Sequence, residues 1–513
     1  MKFFLLQSLV VLGNFRCVAP LYNLYFIQHV ETKSVANLQL VFLTVKISFH
    51  LIVHFVVCFV IFNHTISNMA SKQKLGIFSL TMIVVSLVIG MGIFKTPAGI
   101  AAKAGTTIIF YGAWLIGGFI ALCGALTYAE IGVRLPAVGG YYKIFAHCYH
   151  PSVGFTVNVL ILISNAASLA VVALIGADYA SDLLFGKPSG MLFNILVAIV
   201  PIAIFYLVNL LGLKTSSRTQ NVLTVIKISL VVLLITALFK GVVVEPHGYN
   251  VKDPIYVYNG SNAALLLMFS LVAVSFTYGG YQQTINFGGE IKNSKTMQQG
   301  IVFGIAIVIF LYLAISYTYV HVIGFDKMKN ATAIGALLCE AWFGKAGGKV
   351  FDACMFLSVM AYVNVILMSN PRVMFAMSED KVLPKIFSYK HPKTEVLVPS
   401  LTLFAIITMA IVFFGKEVDD VLSFSIFLDC IGMSTSAATL FILRKRGQGD
   451  ASVTGALKKW TPILAAIFVI AYAFVAVAVV IDKPYAALAA FCLIIIVLIV
   501  YRKFYYKPVP KLS

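Results

Sequence analysis

Two glycine pairs carry the chemistry this sequence suggests. Gly90 and Gly92 flank Met91 in "SLVIGMGIFKTPAG", with Pro97 shortly after. Gly279 and Gly280 lie in "SFTYGGYQQT" beside Ser275, Thr277, Tyr278, Gln282 and Gln283. Both pairs fall near the middle of apolar runs long enough to cross a bilayer. Glycine lets the chain leave helical geometry and lets a ligand approach the backbone. A helix broken at mid-depth exposes free carbonyls where its first half ends and free N–H groups where its second half begins. The second half also presents the positive end of its dipole. These two ends match a zwitterion, with its carboxylate on the N–H groups and its ammonium on the carbonyls. One pair alone reads as close helix packing. Two pairs, five spans apart, are the pattern of a midplane site built from interrupted helices.

Single ionisable residues add to this. Lys227 lies inside "NVLTVIKISLVVLLI", where a charged lysine costs about 2.5–3.5 kcal/mol at a helix centre. It is either functional or a residue that snorkels to the interface one turn away. Asn165 and Asn364 either line a pocket or bond between helices. Glu130 and Glu290, near the inner ends of their spans, either gate with Arg134 or Lys292 or form structural pairs. Lys95 either faces an outer vestibule or snorkels, and Asp429 sits too shallowly for a role. Neither break carries an acid within a turn. A cationic amino acid or polyamine would need one near its distal charge, so a neutral amino acid is the favoured ligand. An acid reaching in from another span would overturn that preference.

The elements that must position these residues are membrane helices. The chain has 513 residues, 60% of them hydrophobic and 11% charged, with a mean hydropathy of +0.96. A soluble domain is about half apolar and a quarter charged. About twelve spans are expected, at 75–104, 108–133, 151–180, 192–212, 219–240, 262–289, 300–323, 348–377, 397–414, 420–443, 460–481 and 485–504. The net charge of +19 comes from basic loops such as Arg444, Lys445, Arg446, Lys458 and Lys459. Alternate loops hold fewer cations, which places both ends of the twelve-span unit in the cytoplasm and offers no case for nucleic acid. The eight Cys are scattered, with no CxxC pair or His–Cys cluster, so no metal or cofactor is implied.

The paired breaks imply an all-α integral membrane protein with discontinuous helices 1 and 6. Its inverted repeat would comprise residues 75–240 and 262–443, with spans 11 and 12 (460–504) outside it, all within a unit of 69–513. Residues 1–68 fit poorly: "LQLVFLTVKISFHLIVHFVVCFVIF" lacks the Gly and Ala of later spans, and Met69 opens a basic segment, "MASKQKLGIFSL". They read as an upstream extension of the reading frame; the competing reading is a thirteenth span.

At these residues the sequence resembles the amino acid–polyamine–organocation superfamily, and within it the permeases related to the L-type amino acid transporters. "IGMGIF" is similar to that family's span 1 pattern and "FTYGGYQQTINFGGEIKN" to its span 6 pattern. "GALTYAEIGVRLPAVGGYY" (Gly124 to Tyr142) is similar to the end of span 2 and the loop after it. "NPRVMFAMSEDKVLPKIFSYKHPKTEVLVPSL" (Asn370 to Leu401) is similar to the passage from span 8 into span 9. The likeness covers residues 75 to about 445.

The resemblance implies a five-plus-five inverted repeat and secondary transport of an amino acid across the plasma membrane by alternating access. It implies backbone contacts to substrate at Val88, Met91 and Gly92 and at Phe276, Thr277 and Gly279, with Gly90, Ile93 and Gln282 beside them. It casts Phe276 as the aromatic that closes over substrate. It also casts the Lys227 ammonium as a substitute for the sodium ion of related symporters, leaving a proton or a counter-substrate amino acid as the coupled species. Tyr281 stands where the family often has Trp, and Gln282 replaces a commonly smaller amide. The loop "DYASDLLFGKPSG" has no Cys, so no disulfide-linked heavy chain is implied. Two other classes compete. A membrane-embedded enzyme would need a nucleophile, metal cluster or carboxylate pair, and no such constellation stands out. A channel would need an open pore, which two midplane breaks disfavour.

Overall fold

The computed structural model describes residues 74–185, 190–240, 263–329, 331, 334–414, 418–449 and 456–504. The expectation for residues 1–68 lies outside them. Among the described residues there are helices, 3-10 turns and two isolated bridges, Leu75 with Ile291 and Val138 with Phe287, but no strand.

The apolar runs become helices much as their lengths demand. Span 1 is split into α1 (Ile77–Val88) and α2 (Gly92–Ala104). Span 2 is α3 (Thr107–Arg134), started by a Thr106 side chain that caps the N–H of Ile109. A short α4 (Gly140–Cys148) precedes span 3, α5 (Pro151–Phe185). Spans 4 and 5 are α6 (Met191–Leu210) and α7 (Leu213–Ile235). Span 6 begins as α8 (Ala263–Tyr278), and span 7 is α9 (Ser294–Ile323). Two short helices, α10 (Phe325–Lys329) and α11 (Ile334–Phe343), lead to span 8, α12 (Gly347–Glu379). Spans 9 to 12 are α13 (Val398–Phe414), α14 (Val418–Lys445), α15 (Ala456–Asp482) and α16 (Pro484–Phe504).

Ten described helices are long and apolar enough to cross a membrane, and the bent pair α1 and α2 makes an eleventh span. The helix at the expected ninth span, α13, is apolar but shorter, at 17 residues. The outermost helices show large apolar side chains on the surface, including Leu488, Phe491, Ile495 and Ile499 of α16. In water such a face would be a liability; against lipid tails it is the expected surface.

The packing respects a shift of five spans. Spans 2 and 7, 3 and 8, and 4 and 9 pack on each other. The first half of span 1 packs on span 7 as span 6 packs on span 2, and span 3 packs on span 10 as span 8 packs on span 5.

The two membrane faces also separate as an alternating topology requires. On one face Lys103, ending span 1, meets Asp482, ending span 11, at 3.1 Å. On that face Lys329, after span 7, donates to the Gly105 carbonyl at 3.1 Å. On the other, Lys143 meets Asp380 at 2.6 Å, joining the loop after span 2 to the end of span 8. These are called the outer and inner faces below, following the loop charges.

Candidate substrate site

The first break opens at Ile89, beside Gly90. Ile89 leaves helical geometry at ψ 85°, α2 resumes at Gly92, and the axis bends by 41°. The N–H groups of Ile89 and Gly90 fold back onto the carbonyls of Val85 (2.7 Å) and Val88 (2.8 Å), closing the first half. The opening N–H groups of α2 have no acceptor within their own helix.

The second break lies against the first. α8 ends at Tyr278, and Gly280 sits at φ 107°, where a side chain is strained. A Cβ there would lie 2.4 Å from the Leu87 carbonyl oxygen of span 1. Gly92 is less tightly held: a Cβ there would stand 3.1 Å from the Thr277 side chain, which must shift by a few tenths of an ångström. Only glycine lets the two interrupted backbones approach this closely. Beyond its break, span 6 does not resume as an α-helix but continues as 3-10 turns, Tyr281–Asn286 and Gly288–Glu290.

One tyrosine holds both breaks. The Tyr312 hydroxyl, on α9, is shared between the carbonyls of Val88 (3.0 Å) and Thr277 (3.2 Å). The Thr96 and Thr277 hydroxyls meet at 3.1 Å across the same gap.

The breaks border a cavity of about 340 Å³. Of the residues expected at the site, Val88, Gly90, Met91, Gly92, Phe276, Thr277, Gly279 and Gln282 line it. Ile93 and Asn364 are not among the lining residues. Ile93 is fully buried, and its carbonyl accepts from Tyr319 at 3.4 Å. Asn165 does line the cavity. Lys95, Gly99 and Lys103, on the outer half of span 1, line it too, so it extends toward the outer face.

Lys227 and Asn364 lie together in a separate polar network. The Lys227 ammonium donates to the Ile89 carbonyl at 2.5 Å and to the Ser86 hydroxyl at 3.4 Å. Gln220 donates to Ser86 at 2.6 Å and accepts from the Asn364 amide at 2.7 Å. Asn364 in turn accepts from Asn209 at 2.9 Å. The lysine is 1% exposed, so its charge rests on these oxygens and not on water. Sequence reading found Lys227 but not its partner Ser86, nor Gln220 and Asn209 further along the network.

On the inner side two ionic groupings tie spans together. Glu130 accepts from Arg134 Nε at 2.6 Å and from Arg444 at 2.8 and 2.6 Å. Arg134 and Arg444 also donate to the carbonyls of Gln448 (2.7 Å) and Lys458 (2.8 Å), after span 10 and at the start of span 11. Glu290 accepts from Arg372 of span 8 at 2.8 Å. Leu75 donates to the Glu290 carbonyl at 2.7 Å and accepts from the Lys292 N–H at 3.2 Å, laying the chain before span 1 over the inner end of span 6. Phe276, by contrast, stands in the cavity wall.

Asp429 of span 10 lines the cavity as well, with Tyr362, Tyr472 and Ser168. Sequence reading gave it no role. The signal was a lone carboxylate in an apolar run, masked by a span boundary that made it look shallow.

The chain compares with known proteins as follows. The amino acid permease family model matches residues 75–501. The serine/threonine exchanger SteT of Bacillus subtilis (strain 168) is 29% identical over 411 residues, covering 78% of this chain and 90% of that protein. The branched-chain amino acid permease BcaP of the same organism is 28% identical over 341 residues, covering 63% of this chain and 70% of that protein. The large neutral amino acids transporter small subunit 2 of Homo sapiens is 25% identical over 386 residues, covering 74% and 71%.

Proposed function

We propose, since this chain belongs to the amino acid permease family, that it exchanges neutral amino acids across the plasma membrane by alternating access without sodium. It is a multi-pass membrane protein that transports amino acids, not an enzyme. The observation that carries the finer reading is the meeting of two interrupted helices at one cavity. The start of α2 offers N–H groups and a positive dipole end to a substrate carboxylate. The ends of α1 and α8 offer carbonyls to its ammonium. Val88, Gly90, Met91 and Gly92 on one side, and Phe276, Thr277, Gly279 and Gln282 on the other, then contact the substrate.

Sodium independence is supported by Lys227. Its ammonium is held by a carbonyl and a hydroxyl at the break of span 1, and these are oxygens of the kind that would bind a hard cation. Exchange is supported by a charge already in place, which lets the loaded protein reorient without a second ion. The names of the relatives support a neutral substrate, while Asp429, an acid reaching into the cavity from span 10, removes the sequence-based argument against a cationic side chain. In this structure the cavity reaches the outer face while Glu290, Arg372 and the bridge at Leu75 cover the inner one. The reading includes cytoplasmic ends for the unit 69–513, and repeats at about 75–240 and 262–443.

The test is uptake of labelled amino acid into proteoliposomes. Uptake is expected only when the lumen is preloaded with unlabelled substrate, with no response to a sodium gradient. Lys227→Met is expected to insert but to lose exchange. Uptake driven by a pH gradient into empty liposomes would make the protein a proton symporter. Sodium-driven uptake with an unimpaired Lys227 variant would overturn the reading.

A further inference from the structure

The cavity wall carries hydrogen-bond acceptors that the protein leaves unfilled. A chain of buried amides fixes the first. Asn370 Nδ2 donates to the Ile366 carbonyl at 3.0 Å, and a carbonyl can only accept. That orients Asn370, whose Oδ1 must then accept from Asn165 Nδ2 at 2.7 Å. Asn165 Oδ1 accepts in turn from Gln283 Nε2 at 2.9 Å. The polarity thus runs from a backbone oxygen to Gln283, and the free end of the relay is an acceptor, Gln283 Oε1. Gln283 lines the cavity at 6% exposed; its Oε1 is enclosed in the wall and receives no donor from the protein, so a substrate donor reaches it by a small shift of the side chain.

The second acceptor is Asp429. Its Oδ1 accepts from Ser164 at 3.3 Å, and no lysine or arginine among the described residues forms an ion pair with it. Lys103, one of two lysines lining the cavity, is engaged with Asp482. Ser164 and Asn165 are neighbours on α5, so both acceptors are held by one turn of one helix. Carboxylate and amide oxygens at membrane depth cost free energy unless donors reach them. An ionisable side chain facing a cavity in a membrane protein marks what passes through it.

We propose that Gln283 Oε1 and Asp429 select amino acids whose side chain carries an O–H or N–H donor. This rests on the amino acid reading above: a hydroxyl donor narrows its neutral class, and an ammonium donor would replace that class with a cationic one. The substrate α-ammonium is directed to the carbonyl ends of the breaks, which leaves these acceptors to the side chain.

Threonine and valine test it, being the same shape with and without the donor. Purified protein is titrated with each in a competition binding assay, alongside lysine and its apolar counterpart norleucine. Threonine is expected to bind about tenfold or more better than valine, the effect of one well-placed hydrogen bond. Asp429→Leu is expected to lower the threonine-to-valine ratio, and Asp429→Leu combined with Gln283→Leu to bring it near one; because the readout is a ratio, it does not depend on how much protein folds. Asp429→Asn separates the two donor types. It keeps an acceptor for a hydroxyl but removes the charge an ammonium needs. A preference for lysine over norleucine that Asp429→Asn abolishes supports the proposal with an ammonium as donor.

Equal binding within both pairs means that the α-ammonium alone satisfies the wall, and it overturns the proposal while the amino acid reading stands. An unchanged ratio in the combined Asp429→Leu and Gln283→Leu variant overturns it as well. Failure to bind any α-amino acid brings down the underlying reading, a result distinct from either.

Discussion

At the scale of single residues, the glycines of the two breaks are not equivalent. A Cβ at Gly90 would meet no atom within 4 Å, whereas one at Gly280 would collide with the Leu87 carbonyl. Gly280→Ala combines that collision with a φ that alanine avoids, a strain of about 1–3 kcal/mol before any clash is counted. It is expected to lower the thermal unfolding temperature in detergent and to abolish exchange, while Gly90→Ala leaves the unfolding temperature unchanged. Equal unfolding temperatures for the two variants would contradict the geometry. Gly92→Leu is expected to retain membrane insertion but lose substrate binding, since a side chain there enters the gap filled by Thr277. Binding at parental affinity would remove Gly92 from the site. The glycine spacing made both breaks legible in the sequence. Which glycine is pinned was not, because that depends on a carbonyl from a span about 190 positions away in sequence, Leu87 against Gly280.

At the scale of elements, the positions of the helices were readable because hydropathy sets their length. The span expected at 262–289 was not a simple helix, however. Its second half, "YQQTINFGGE", carries amides and a second glycine pair, and it becomes 3-10 turns. Asn286 there accepts from the Tyr141 N–H at 3.0 Å, and Gln283 joins the amide relay. Side chains that bond across helices thus compete with the regular ladder. Asn364 shows the converse limit. Its type left a pocket role and a bond between helices both open, and one face of α12 turns it toward Gln220 and Asn209. What joins the elements at the site is Tyr312, which the sequence reading did not single out. Tyr312→Phe removes one hydroxyl shared by two break carbonyls, a loss of about 0.5–1.5 kcal/mol. The variant is expected to fold and to exchange several-fold more slowly, with weaker substrate affinity. Parental kinetics would show that the breaks hold their geometry without it.

At the scale of the whole molecule, the two carboxylates that could either gate or pair structurally sit in different settings. Glu130 is fully enclosed and binds two arginines, tying span 2 to span 10, while those arginines hold the backbone leading into span 11. Glu290 and Arg372 form a partly exposed pair between the end of span 6 and span 8. Removing one member of a buried ionic group strands the others, at about 3–5 kcal/mol. A partly buried pair lies between that figure and the roughly 0–1 kcal/mol of an exposed one, which makes the Glu290 pair the weaker tie of the two and the better placed to open and close during turnover. Glu130→Leu is therefore expected to unfold at markedly lower temperature or to fail purification. Glu290→Gln is expected to remain folded while its cavity becomes accessible from the inner side more often. A cysteine placed at Val172, in the cavity wall, reports this through an impermeant thiol reagent. In a Cys430→Ser background, labelling from the outer side should fall and labelling from the inner side should rise when Glu290→Gln is added. Unchanged sidedness would assign the Glu290 pair to the scaffold as well, and would leave the segment at Leu75 as the element that closes the inner face.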